Sequence, residues 1–205
     1  MALAAASPRV QRIEKGNSGS RRRNSVTAKA AVLTPTGVTT FNPLSATTPG
    51  NTEDPSTAVN AIEDNGSAWA TSDYFGSPNF AGLKAGAGLL IDMGKSVKLS
   101  QVEVTFGPGV TKAEIYLGNS GPSLAAQPNA LSSFQLVSPL ASATGKHTFP
   151  VSSDATGRYV LIWLTSLPLA VNPPAGVVAQ AHGQKIYEGL LSDVVVRGTA
   201  VSAAH

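Results

Sequence analysis

Alternating apolar and polar side chains predict short β-strands along most of the chain. In Gln101–Phe106 the even positions are apolar and the odd ones polar, and the same period of two continues in Lys112–Leu117. Side chains two residues apart lie on the same face of a strand, so each segment can cover a core with one face. By contrast, Tyr159–Leu164 is apolar at every position. That pattern is typical of a central strand buried on both faces.

Turn residues separate eight such segments and predict the fold class. A single helix is predicted, over Asp54–Ile62, with Asp54 as its N-cap and Pro55 at its first position. Many short strands with so little helix predict an all-β fold, an antiparallel β-sandwich or jelly roll. The predicted strands are Val38–Phe41, Gly88–Met93, Leu99–Phe106, Ala113–Leu117, Phe134–Val137, His147–Val151, Arg158–Thr165 and Leu190–Arg197.

Positive charge is concentrated at the start of the 205-residue chain. Residues 1–30 carry seven Lys or Arg side chains and one Glu, a net charge of +6, whereas the whole chain carries +3. We therefore predict a disordered basic tail or linker over residues 1–31, a sandwich body over 32–199 and a flexible C-terminus over 200–205. Because the remaining body is mildly acidic, no specific nucleic-acid partner is expected for it.

The composition excludes several kinds of catalytic and metal site. The chain has no cysteine, which excludes disulfides, thiol nucleophiles and zinc-thiolate centres. Its histidines, His147, His182 and His205, have neither zinc-ligand spacing nor an accompanying Gly-x-Ser-x-Gly motif. The acids Asp64, Asp73 and Glu188 are too scattered along the sequence to indicate a glycosidase pair. We therefore expect a protein that is not an enzyme.

Two segments resemble a known family of β-sandwich domains. Ala61–Thr71 resembles the Ala-Ile-Asp-Gly-x-x-x-Thr-x-Trp-x-Thr/Ser opening of discoidin, or coagulation factor 5/8 C-type, galactose-binding-like domains. Leu89–Gly94 resembles the hydrophobic-Asp-Leu-Gly element that follows it. Within that superfamily the chain is most similar to the C-terminal extracytoplasmic domain of actinobacterial MviN-type lipid II flippase-like and kinase-like membrane proteins. That second likeness rests on Leu83–Asp92, Arg158–Thr165 and Ser192–Gly198.

The resemblance implies a non-catalytic module that binds carbohydrate, such as cell-wall polysaccharide or a surface glycan. It also implies an extracytoplasmic or cell-surface location, with any membrane contact made through the anchor of a parent protein, because no segment here reaches the roughly 18 apolar residues of a membrane span. Many discoidin-like lectins hold calcium in the loop that corresponds to Glu63–Gly66. That loop is one residue shorter here, so no cofactor is expected unless calcium binds through Asp64.

The expected ligand contacts lie in two loops. Aromatic rings on loops suit stacking against sugar faces, while acids and amides exchange hydrogen bonds with hydroxyl groups. Trp69 and Trp163 are instead expected in the core, and Asp92 is expected to have a structural role. A competing interpretation for this region is that Phe75 and Phe80 plug one end of the sandwich. The predicted ligand residues are Asp73, Tyr74, Phe75 and Asn79 in the loop after Trp69, with Gln184 and Tyr187 in a later, long connection.

Two other functions fit the same sequence. A basic arm joined to a jelly roll of this size is also what a virus capsid subunit uses to package RNA, with Arg21–Arg23 neutralising phosphates. A protein–protein adaptor, whose loops contact protein rather than sugar, is the third alternative. The residue pattern does not separate the adaptor from the glycan-binding module.

Overall fold

A computed structural model of the chain describes residues 30–44, 52–152 and 154–201. These three ranges contain nine strands and one α-helix: β1 (Ala31–Leu33), β2 (Gly37–Phe41), β3 (Trp69–Ala70), β4 (Tyr74–Phe75), β5 (Ala87–Gly118), β6 (Phe134–Pro150), β7 (Thr156–Ser166), α1 (Ala175–Gln180), β8 (Ile186–Tyr187) and β9 (Leu190–Ala200). Short 3-10 helices span Pro55–Ala61, Phe80–Gly82, Pro122–Leu124 and Ala130–Ser133.

The long strand β5 folds back on itself and builds both layers of a sandwich. Its first arm, 87–92, pairs with β2 and β7, and its last arm, 111–118, pairs with β7 and β6. Its middle arm, 97–106, pairs with β6 and β9, and β9 also pairs with β1 and β3. Every pairing is antiparallel. The predicted all-β antiparallel sandwich is confirmed.

Strand β7 lies between two buried clusters of apolar side chains. Val160, Ile162 and Leu164 belong to the larger cluster, which also takes the alternate apolar residues of β5. On the opposite face, Leu161 and Trp163 pack in a second cluster with Phe41, Tyr159 and Phe134. This arrangement is the one that an apolar residue at every position predicts, because successive side chains of a strand point to opposite faces.

The sequence pattern located the long strands better than the short elements. All eight predicted strands overlap β2, β5, β6, β7 or β9, and only Val151, at the end of one predicted strand, lies beyond the observed bounds. The predicted helix is a 3-10 helix over Pro55–Ala61, with Asp54 at the N-cap position and Pro55 at its start, as predicted. The Asp54 side chain makes no capping bond, whereas its main-chain carbonyl accepts the Thr57 N–H at 3.2 Å. The sequence pattern does not predict β1, β3, β4 and β8, with two or three residues each, or α1, with six, because none of these elements is long enough to show its period.

The predicted domain boundaries fall partly outside the described residues. Residues 1–29 of the predicted tail and 202–205 of the predicted C-terminus lie there. Within the body, β1 begins at Ala31, one residue before the predicted boundary, and β9 runs to Ala200. Over the three described ranges, no helix combines the length and the apolar character that crossing a bilayer requires.

Candidate functional site

A small ribbon at one end of the body brings the two predicted ligand loops together. Strands β4 and β8 pair antiparallel, with Tyr74 opposite Tyr187 and Phe75 opposite Ile186. The Gly76 N–H donates to the carbonyl of Lys185 at 2.8 Å. Residues 168–170 add a third edge: the Ala170 N–H donates to Ile186 O at 2.9 Å, and the Glu188 N–H donates to Pro168 O at 3.1 Å. We refer to β4, β8 and residues 168–170 as the ribbon.

Tyr74 lies inside the protein, and the expectation that it is exposed on a loop is wrong. Only 3% of the residue is accessible, its ring packs edge-to-face on Phe80 at 5.0 Å, and its hydroxyl donates to the carboxylate of Glu53. The physical reason is the pairing of β4 with β8, which turns alternate side chains of this segment inward. The alternative expectation, that an aromatic side chain plugs this end of the sandwich, holds for the fully buried Phe80.

The other predicted ligand residues lie at or near the surface of the ribbon. Asp73 and Phe75, which alternate with Tyr74, are half-buried, and Gln184 and Asn79 are exposed. The carboxamide of Gln184 lies over Gly76, since a Cβ built at Gly76 would come within 2.7 Å of Gln184 Oε1. Tyr187 is half-buried and packs against the larger core cluster. The pairing of β4 with β8 thus brings residues of two distant loops close together.

Asp73 and Glu188 are far apart in the sequence, but the fold brings their carboxyl groups close together at the ribbon. The Thr71 N–H donates to Gly189 O and the Gly189 N–H donates to Thr71 Oγ1, both at 2.9 Å. Between this contact and the Tyr74–Tyr187 pair, Glu188 therefore lies opposite Ser72 and Asp73. Burial raises the pKa of both carboxyl groups, and the charge of Asp73 raises the pKa of Glu188 further. Neither forms a salt bridge with any described residue.

Glu53, which the sequence analysis did not single out, lies fully buried behind the ribbon. Its Oε2 accepts the Ser72 N–H at 3.0 Å, and its Oε1 accepts both the Tyr74 hydroxyl and the ammonium of Lys84. Its main-chain carbonyl accepts the Trp69 indole N–H at 2.8 Å. Its surroundings in sequence are polar and turn-forming, so no apolar period marks the position as internal.

Lys84 completes this internal network from the other side. Its ammonium also donates to Asn42 Oδ1 at 3.2 Å, and only 2% of its side chain is exposed. Burial lowers the pKa of Lys84, although the adjacent Glu53 carboxylate acts in the opposite direction. An ion pair this deeply buried is retained only where hydrogen bonds offset the cost of desolvation, as they do here.

A cavity of about 200 Å³ lies beside Lys84, and its walls are mainly apolar. Lys84 supplies the one ionisable side chain among the lining residues, and its ammonium is already bound to Glu53 and Asn42. The cavity therefore offers few side-chain polar groups that could orient a sugar, in contrast to the ribbon. It is lined by Pro43, Leu44, Lys84, Ala85, Gly86, Pro128, Leu131 and Trp163.

The residues expected to be structural lie away from the ribbon surface. Trp69 is fully buried and Trp163 is 3% exposed. Asp92 is half-buried rather than part of the core, and its carboxylate accepts the Gly94 N–H at 2.7 Å in a turn. Arg158 donates to the same carboxylate through Nε and Nη2, each at 2.7 Å. This charged contact lowers the pKa of Asp92.

In the loop to which the resemblance assigns calcium, the side chain of Asn65 forms hydrogen bonds with neighbouring residues of the loop. Asp64 is exposed and lines a groove of about 280 Å³ together with Glu63 and Asp193. Asn65 donates to Glu63 Oε2 at 3.2 Å and accepts the Ser67 N–H at 2.9 Å. Among the described residues, no three His, Cys, Asp or Glu side chains are arranged to hold a metal ion. The side chains around Asp64 do not fit a calcium ion, which needs about six to eight oxygen ligands.

No family model matches the sequence. Among solved structures, the chain is similar to a truncated AlyQ with a family 32 CBM and alginate lyase domains, at TM-score 0.49 and 14% identity over 86% of this chain and 35% of that one. It is similar to a Ruminococcus gnavus fucosidase in complex with fucose, at TM-score 0.45 and 19% identity, over 70% of this chain and 22% of that one. It is also similar to the family 32 CBM from Clostridium perfringens NanJ in complex with galactose, at TM-score 0.49 and 15% identity, over 82% of this chain and 99% of that one. The chain thus spans about a third of the AlyQ chain and about a fifth of the fucosidase chain.

Proposed function

We propose that this chain is a non-catalytic, discoidin-type module that binds glycans through the ribbon. The observation that carries the proposal is the pairing of β4 with β8, which brings the partly exposed Phe75 and Asp73 of one loop near Gln184 of another, whose carboxamide lies over Gly76. A half-exposed aromatic ring offers an apolar face for the C–H groups of a sugar, while a carboxylate and a carboxamide accept and donate hydrogen bonds to its hydroxyl groups. Tyr74 supports this surface from inside and does not contact the glycan.

We propose cell-wall polysaccharide as the class of ligand and an extracytoplasmic location for the protein. Both follow from the resemblance of the sequence to extracytoplasmic domains of membrane proteins. The acidic character of the body outside its first 30 residues supports recognition of sugar hydroxyl groups rather than of phosphate. A shallow surface of this kind binds a single sugar weakly, and tethering in a larger assembly would supply avidity.

Retention on insoluble peptidoglycan tests the proposal. We expect Phe75→Ala and Gln184→Ala to lose retention, because the first removes the stacking ring and the second a hydrogen-bonding group. Leu136→Ala is the matched control: it removes an exposed apolar side chain, 44% accessible, from β6. Retention should survive an increase from about 50 to 200 mM salt, over which binding through several phosphate contacts falls by orders of magnitude.

A triple variant, in which Arg21, Arg22 and Arg23 are all changed to Ala, separates glycan binding from binding of a polyanion by the basic segment. We expect the triple variant to be retained on peptidoglycan like the wild type, because neutral sugars are held by stacking and hydrogen bonds. The proposed glycan site is wrong if this variant loses retention while Phe75→Ala keeps it. That outcome would favour the RNA-packaging alternative.

A protein-binding function is favoured by one specific feature, an exposed apolar strip formed by Leu169 and Val171 along the third edge of the ribbon. Leu169, which bridges to Tyr187, is 52% exposed, and Val171 is 56% exposed. Changing Leu169 and Val171 together to serine removes this strip without altering Phe75 or Gln184. If that double variant loses peptidoglycan retention while Phe75→Ala keeps it, the apolar strip, and not the surface around Phe75, makes the contact with peptidoglycan.

A further inference from the structure

The carboxylate of Glu53 holds the segment on which the ribbon's ligand residues begin. Two of its three donors, the Ser72 N–H and the Tyr74 hydroxyl, belong to the segment 72–74 that leads into β4. Strand β4 has only two residues, so it has few main-chain hydrogen bonds of its own. Its position therefore depends on contacts made from outside the ribbon.

Glu53 is itself held in place by buried groups. Its main-chain oxygen binds the indole of the fully buried Trp69, and its Oε1 binds the ammonium of Lys84. That ammonium lies over the rings of Tyr74 and Phe80, at 5.3 and 5.5 Å from their centroids. The carboxylate cannot move without breaking these contacts, so it is a fixed reference point for the segment beside it.

The bonds to positions 72 and 74 determine where positions 73 and 75 point. The Ser72 N–H bond fixes the main chain of the segment, and the hydroxyl bond fixes the Tyr74 side chain inward. Neighbouring side chains of an extended segment lie on opposite faces, so an inward Tyr74 directs Asp73 and Phe75 outward. We propose that Glu53 is the positioning residue of the ribbon, setting the orientation of Asp73 and Phe75 without touching a ligand. The part of this inference that concerns a ligand rests on the proposed function, whereas the part that concerns the ribbon does not.

Amide hydrogen exchange on the full chain tests the positioning role without any ligand. The informative amides are Gly76 and Ala170, whose bonds to Lys185 O and Ile186 O do not involve Glu53. In Glu53→Gln we expect both to exchange at least about tenfold faster, while the Ile162 amide of β7 changes less, because a local opening exposes the ribbon alone. Tyr74→Phe, which keeps the ring and the Glu53–Lys84 ion pair, should accelerate the same amides about threefold or more. This second variant decides the question if Glu53→Gln does not fold.

The control is Val104→Ala, which lowers stability at a fully buried position of β5, outside the ribbon and away from the hydrogen bonds of Glu53. If Val104→Ala accelerates the Gly76 and Ala170 amides as much as Glu53→Gln does, or if both ribbon variants leave them at wild-type rates, Glu53 is an ordinary core group and the inference is wrong. On peptidoglycan, Tyr74→Phe should weaken retention several-fold. If the wild type is retained on no glycan, the proposed function fails, while the exchange rates still decide the role of Glu53.

Discussion

Arg158 binds Asp92 through two parallel hydrogen bonds, from Nε to Oδ1 and from Nη2 to Oδ2, each 2.7 Å long. The two residues lie on the neighbouring strands β7 and β5, where Asp92 is opposite Tyr159. The same carboxylate also accepts the Gly94 N–H at 2.7 Å. A bidentate guanidinium–carboxylate contact thus joins a strand pair to the turn that follows Asp92. Its two parallel bonds make it a stronger interaction than an ion pair with a single hydrogen bond.

This contact should make the protein less stable in acid. Because the bonds from Arg158 hold the pKa of Asp92 below its ordinary value of 3.8, the folded state gains stability that is present above that value and lost as the pH falls through the lowered pKa. Between about pH 5 and pH 2, the thermal midpoint of the wild type should therefore fall more steeply than that of Asp92→Asn. Equal slopes in the two proteins would show that the contact contributes nothing to acid stability.

The carboxylate pair on the ribbon should have the opposite pH dependence. Since the pKa of Glu188 is raised, the folded state binds its proton more tightly than the unfolded chain, and stability falls as the pH rises from the ordinary value of 4.5 through the raised pKa. We expect Glu188→Gln to raise the thermal midpoint at pH 7 and to reduce its decline between about pH 4 and 7. Asp193→Asn, an exposed acid elsewhere, serves as the charge-matched control.

Two buried aromatic residues, one in β7 and one in β4, should be costly to truncate. Trp163→Ala should destabilise the protein by about 3–5 kcal/mol, because it empties a large site that Phe41 contacts edge-to-face at 5.7 Å. Tyr74→Ala should cost about 3 kcal/mol or more, since it also removes a buried hydrogen bond to Glu53. Urea unfolding midpoints measure both. A Tyr74→Ala midpoint equal to that of the wild type would contradict the buried position of this ring.

Gly88 should be irreplaceable although it lies within a strand. A Cβ at this position would overlap the main-chain carbonyl of Ile162 on the neighbouring strand β7, and main chain cannot turn aside as a flexible side chain can. Gly88→Ala should therefore prevent β5 from pairing normally with β7, which circular dichroism and the thermal midpoint would report. Gly37→Ala is the matched control, because a Cβ there meets nothing within 4 Å.

The long strands and the fold class were predictable because their information is local. The alternation in Gln101–Phe106 and the continuous apolar run Tyr159–Leu164 state directly which faces are buried, and burial of apolar area dominates the stability of a sandwich. The core position of Trp163 follows from the same argument, whereas that of Trp69 was expected from the family motif in which it lies. For these strands, the period of apolar side chains along the sequence is enough to predict which faces are buried.

Tertiary pairing alone decided the candidate site. Nothing near Tyr74 in the sequence shows that it faces inward, because the cause is its pairing with Tyr187, which is distant along the chain. The same pairing places Glu188 beside Asp73. The burial of Glu53 depends on donors from Trp69, Ser72, Tyr74 and Lys84 that only the folded chain brings within hydrogen-bond distance. A buried polar group is stable only once all of its partners are in place, so its location is a property of the assembled structure and not of the local sequence.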